Sequence, residues 1–169
     1  MLIKNYKIIK ALLFVITLLT MQPSYANITD GFLAYSKGDY ATALKELEPL
    51  AAQGEALAQF GMGLMYKNGR GVPQNDQQAA DWYRKAAEQG IPPAQNNLAL
   101  MYASGEGIAQ DYQQAADWFH KAADKNIAQA QYSLGMLYIN GEGVTQDYKQ
   151  ADEWLKKADK QGYAAAQSE

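Results

Sequence analysis

Small and apolar residues recur along this chain at helical spacing, and glycine interrupts them at regular intervals. Ala94, Leu98, Met101 and Tyr102 fall on one face of a helix that runs from an Ala-Gln pair to Gly105. Glycine suits the left-handed residue that ends a helix. A loop with Gly107 and the apolar Ile108 follows, and Asp111 then opens a second helix. With Gln114 three residues on, Asp111 is close to a capping box. In that helix Ala115, Trp118, Phe119 and Ala122 stand at i, i+3, i+4 and i+7, a single buried stripe, and Asn126 ends it. The spacing therefore predicts a helical hairpin.

The same hairpin is written three times, over 58–93, 94–129 and 130–165, in abutting windows of 36 residues. Eleven of the 36 columns are identical in all three, among them the only tryptophans, Trp82, Trp118 and Trp154. The loop glycines keep the same register: Gly69 and Gly71, Gly105 and Gly107, Gly141 and Gly143. Asn75 and Asp147 repeat the cap of Asp111, and Val72 and Val144 repeat the plug of Ile108. A fixed period of this length predicts an all-α fold, an α/α solenoid built as a superhelical array of helix-turn-helix units.

The flanks differ. Residues 27–57 hold a shorter first unit whose second half keeps the register, Asp39-Tyr40 lying 72 residues before Asp111-Tyr112. Its loop is cut to Ser36-Lys37-Gly38, and it resembles a tetratricopeptide hairpin. Pro49, late in its second helix, removes a backbone donor and is expected to bend it. Residues 166–169 begin a further unit and leave the last helix without a repeat to cover it, which raises self-association through that end. At the front, Lys4, Lys7 and Lys10 precede an uncharged apolar run over 11–21 and the small residues of Ser24-Tyr25-Ala26. That order predicts a signal peptide over 1–26, cleaved before Asn27, and hence an exported protein, periplasmic or secreted, with no stable membrane insertion after cleavage.

Composition narrows the functional classes. Without the leader, 12 Lys and Arg face 18 Asp and Glu, a formal charge of −6. That balance argues against nucleic acid as a partner. The chain has no cysteine, so stacking rather than disulfides must supply the stability. The single histidine, His120, shares a column with Arg84 and Lys156 and reads as a solvated position. No metal site, catalytic residue or cofactor is expected, because zinc sites and Cys/His or Ser/His nucleophiles have no material here. The Gly-x-Gly loops follow helices, and two carry a glutamate, so they read as turns rather than phosphate cradles.

Taken together, the residues A-x-x-x-[LM]-[GA]-x-x-Y-x-x-G-x-G-[VI]-x-Q-[DN]-x-x-x-A-x-x-W-x-x-x-A resemble the Sel1-like repeat, three times over 58–165. Asp76, in place of the aromatic at Tyr112 and Tyr148, and Leu155, in place of the ring at Tyr83 and Phe119, depart from it. The resemblance implies a right-handed superhelix whose concave face binds a protein or peptide partner, without catalysis of its own. Cysteine-rich exported relatives that bind or hydrolyse β-lactams supply the alternative, against which the missing cysteines count.

Invariant columns read as structural: the three tryptophans and the six loop glycines. The variable positions on one side of each first helix are the binding candidates. They are Phe60, Leu64 and Lys67, then Asn96, Leu100 and Ala103, then Tyr132, Met136 and Ile139. Phe60, Asn96 and Tyr132 are read as a peptide clamp of two aromatics around a bidentate amide. Leu64, Leu100 and Met136 fit either that surface or the core between layers.

Overall fold

The structure, a computed structural model, describes residues 24–163. Most of the leader read at 1–26 and all of the remnant at 166–169 lie outside the described residues. Among those residues there are eight α-helices and no strand. They are α1 Ser24–Ser36, α2 Tyr40–Ala52, α3 Ala56–Asn68, α4 Asp76–Glu88, α5 Pro92–Ser104, α6 Tyr112–Ala123, α7 Ala128–Asn140 and α8 Tyr148–Lys160. Each packs chiefly on its neighbours in sequence, as in a solenoid. None of the described helices is long and apolar enough to cross a membrane.

The first helices start two residues before the Ala-Gln pairs, at Ala56, Pro92 and Ala128. Glu55, Ile91 and Ile127 precede them in extended backbone without a side-chain cap. Pro92 sits in the first turn, where its missing N–H has no helical partner to lose. The second helices start as their sequence indicates. Asn75, Asp111 and Asp147 each accept the backbone N–H three residues on, from Gln78, Gln114 and Gln150, at 3.0 Å.

The two glycines of each loop have separate work. Gly69, Gly105 and Gly141 cap α3, α5 and α7 in the left-handed region, with φ of 63°, 76° and 71°. Gly71, Gly107 and Gly143 are left-handed too, and they also press on the preceding unit. A Cβ on Gly107 or Gly143 would overlap the main chain of Asp76 or Tyr112, the first residue of the previous unit's second helix. Main chain therefore rests on main chain at this end of the hairpins.

The core lies between layers and alternates small with large. Ala115, Ala122, Phe119, Leu134 and Leu137 make one cluster with Ala99 and Trp154, and Ala79, Tyr83, Leu98 and Met101 make another. Ile108 and Val144 are half-buried and pack against these two clusters, and the half-buried Val72 packs against a third that contains Leu47, Met62 and Met65. Trp82 and Trp118 are half-buried and Trp154 is buried. Lys85, Lys121 and Lys157, one turn on, lie over the three rings at 4.1, 3.7 and 3.6 Å from the centroids. The invariant lysine is thus a cation–π lid on the invariant tryptophan, a pairing that the i, i+3 spacing already allowed.

Candidate functional site

The first helices place their variable residues on a common face, but these residues have different neighbours. Phe60 is half-buried between Phe32, at 6.4 Å between centroids, and Tyr83, at 5.9 Å. Asn96 is only 3% exposed, and its Nδ2 donates to Gln129 Oε1 across the layer at 2.9 Å. Tyr132 packs on Tyr163, centroids 5.4 Å apart. Asn96 is accordingly a buried strut between units, and its amide cannot serve as the bidentate centre of a clamp with Phe60 and Tyr132. A polar residue that varies between units need not face solvent when its partner is on the neighbouring helix.

Leu64 and Leu100 do come together. They line a cleft of about 270 Å³ between α3 and α5, over Tyr83 and Met101. Met136, half-buried one layer on, is not part of its wall. The rim holds two amides and one charged pair. Asn68 Nδ2 is committed to Leu64 O at 2.8 Å and to the Tyr35 hydroxyl at 3.2 Å. Asn97 hydrogen-bonds with the Tyr83 hydroxyl; burial pushes that phenol well above its ordinary pKa, and the Asn97 contact opposes the rise. Tyr83 is therefore a neutral wall at any physiological pH.

The charged side of the cleft is built from two units. Lys67 Nζ lies 3.1 Å from Asp76 Oδ1 and 2.8 Å from Glu106 Oε2. Burial works against the ammonium, but hydrogen bonds and charge from Glu106 and Asp76 outweigh it and hold its pKa above the ordinary value. Reading columns could have found this group. Lys67 and Asp76 are the two positions where unit one departs from Ala103 and Ile139 and from Tyr112 and Tyr148, and each departure answers the other.

His120 is not a solvated position. Its Nε2 is 3.1 Å from the Tyr138 hydroxyl, and its ring meets Trp154 edge-on at 5.8 Å. Arg84 likewise hydrogen-bonds with Tyr102, as well as pairing with Asp81 at 2.8 Å. In these two units the column varies in residue type while keeping one task, a hydrogen bond with the invariant tyrosine of the next unit. Lys156 pairs within its own helix instead, with Asp152 at 2.6 Å.

The invariant glutamine near the start of each unit also joins units, whereas the loop glutamines bond within their own. Gln59, Gln95 and Gln131 donate to Ala51, Ala87 and Ala123 carbonyls at 3.3, 3.1 and 3.1 Å, closing the last turn of the preceding helix. In the loops, Gln110 and Gln146 donate to Ala103 and Ile139 carbonyls at 2.7 Å and to the Tyr112 and Tyr148 hydroxyls at 3.0 Å. Among the described residues no group of three or more His, Asp or Glu could hold a metal ion. A second hollow, at the Gly143–Asp147 loop, is more polar and wider open.

Comparison with known proteins agrees with this architecture. The Sel1 repeat profile matches residues 56–91, 92–127 and 128–163, frames that begin where α3, α5 and α7 begin. The crystal structure of c5321, a protective antigen of uropathogenic Escherichia coli with an SLR fold, is similar at 37% identity and TM-score 0.81. The match covers 89% of this chain and 33% of that one. A Sel1 repeat protein of Oxalobacter formigenes is similar at 38% identity and TM-score 0.78, over 83% of this chain and 56% of that one. This chain thus spans about a third and just over half of those two proteins. Helicobacter pylori cysteine rich protein B shares the fold, at 23% identity and TM-score 0.59, over 77% of this chain and 93% of that one. No curated protein matches the sequence. Three consecutive matches to the repeat, in the phase set by the helices themselves, make this chain a member of the Sel1 repeat family.

Proposed function

We propose that this protein is an exported, non-catalytic adaptor that takes an apolar side chain of a partner's peptide segment into the cleft between α3 and α5. The cleft itself carries the reading: Leu64, Leu100, Met101 and Tyr83 offer an apolar wall that opens on the first-helix face. Sel1 repeat proteins are commonly protein-interaction modules and generally non-enzymatic scaffolds, which supports the class. Export is supported by the basic front end, the apolar run and the small residues before Asn27. The related Escherichia coli protein is described as a protective antigen, which fits a protein met outside the cell.

The test is selection of peptides from a displayed random library on residues 27–169, followed by binding to a Leu64→Gln/Leu100→Gln variant. Peptides carrying a Leu, Met or Phe should emerge and should bind the variant at least tenfold more weakly. Retained helicity by circular dichroism would show that the variant is folded. Peptides held equally by both proteins would remove the cleft from the proposal.

A further inference from the structure

The cleft's rim carries more charge than its own pairing needs. Asp76, from the same unit, already neutralises Lys67 at 3.1 Å. Glu106 reaches the same ammonium at 2.8 Å from the next unit's loop, although its side chain is 57% exposed. One cation shared by two carboxylates leaves a surplus negative charge at the mouth of an apolar cleft. Of the residues lining that cleft, Lys67 is the only cation and it is already engaged on both sides. The other two units have no such group. Ala103 and Ile139 stand where Lys67 does, beside Tyr112 and Tyr148 in place of Asp76. The cation shared by two carboxylates is therefore confined to the layer that holds the cleft.

We propose that this rim selects a cationic side chain beside the apolar anchor, so that the partner segment pairs a Leu, Met or Phe with a Lys or Arg. Glu106 is the acceptor, and Lys67 is a positioning residue that holds its carboxylate at the cleft. A second cation placed against Glu106 completes the charge balance of the group, whereas an acidic neighbour would meet two carboxylates. An exposed ion pair of this kind contributes modestly to affinity and more to selectivity. The inference rests on the cleft being the binding site.

Three fluorescein-labelled nonapeptide pools test both. Each has an equimolar Leu, Met and Phe mixture at its centre and alanine elsewhere, except for the residue after the centre, which is Lys, norleucine or Glu. Fluorescence polarisation on residues 27–169 should rank Lys over norleucine over Glu, with the Lys pool about fivefold tighter than norleucine at low salt. Glu106→Gln should abolish that margin, so that the Lys and norleucine pools bind alike. Glu142→Gln, the same change in the next loop, should leave all three as they were. A Lys preference that survives Glu106→Gln, or a Glu pool that binds best, overturns the charge selection alone. Loss of every pool in the Leu64→Gln/Leu100→Gln variant keeps the cleft reading intact in that case. Undiminished binding to that variant, or no binding of any pool at millimolar protein, sinks both.

Discussion

Units of this solenoid meet at two ends, and the two are built on different terms. At the loop end, Gly107 and Gly143 set main chain on main chain, and Gly71 rests on the Tyr40 carbonyl and Cβ. At the opposite end Gln59, Gln95 and Gln131 make the contact through their side chains, and what braces each of them within its own unit is not uniform. Gln59 Oε1 accepts from Gln89 Nε2 at 2.8 Å, and Gln131 Oε1 accepts from Gln161 Nε2 at 2.7 Å. In the middle unit Lys125 occupies that column, and the buried Gln95 Oε1 is left without a partner. An unpaired buried acceptor costs more than its missing bond would have contributed. The strength of a layer is thus decided by a variable residue, although the glutamine it serves never varies.

The loop end should be the less forgiving. Gly143→Ala forces a Cβ into the Tyr112 main chain at a positive φ, and about 3 kcal/mol of stability should be lost in urea denaturation. Gly141→Ala is the control, because its nearest new neighbour is the Gln146 side chain at 3.3 Å. It should cost about 1 kcal/mol, the left-handed backbone alone. Equal losses would erase the distinction between the two glycines.

At the glutamine end the layers themselves can be set against one another. Gln131→Ala strands both the Ala123 carbonyl and the Gln161 amide and should cost about 2 kcal/mol. Gln95→Ala should cost about 1 kcal/mol less, since it also removes an unpaired oxygen. Lys125→Gln should raise stability by about 1 kcal/mol, by rebuilding the pair seen in the flanking units. No gain in the urea midpoint would mean that the middle layer is spaced differently from its neighbours.

Two smaller effects sharpen the picture. Lys121→Ala uncovers Trp118 and should cost about 0.5 kcal/mol, with a shift in tryptophan emission as the check. Lys67 has a raised pKa, so the folded state holds that proton more tightly than the unfolded chain does. Its contribution is fully present below the ordinary value of 10.5 and is lost as pH rises through the higher folded value. The stability difference between the protein and Lys67→Met should therefore stay level from neutral pH towards 10.5 and shrink above it. A difference that shrinks while pH is still near 8 would refute the shift.

Much of this fold could be read from residue spacing. The period, the paired helices, the Asn75, Asp111 and Asp147 caps and the left-handed glycines all follow from short-range chemistry repeated in register. Contacts between layers could not be read so directly. Asn96 looked like a surface amide because its column varies, but its partner, Gln129, lies on α7, the first helix of the next hairpin. His120 looked solvated beside Arg84 and Lys156, although two of the three serve a tyrosine 18 residues further on. The cleft was half legible, through Leu64 and Leu100. Its charged rim was written in the two departures of unit one, which mean little until Lys67 and Asp76 are seen to touch.

The glycine seat at the loop end bears on how such proteins change length. Asp76 and Tyr112 differ in side-chain chemistry, yet each receives the following loop through its backbone. Excising residues 92–127 would bring Gly143 over Asp76, a seat that already accepts Gly107. A loop seat that reads backbone rather than side chains lets whole units be duplicated or dropped without redesigning that contact. Inheritance can therefore edit this chain in steps of 36 residues.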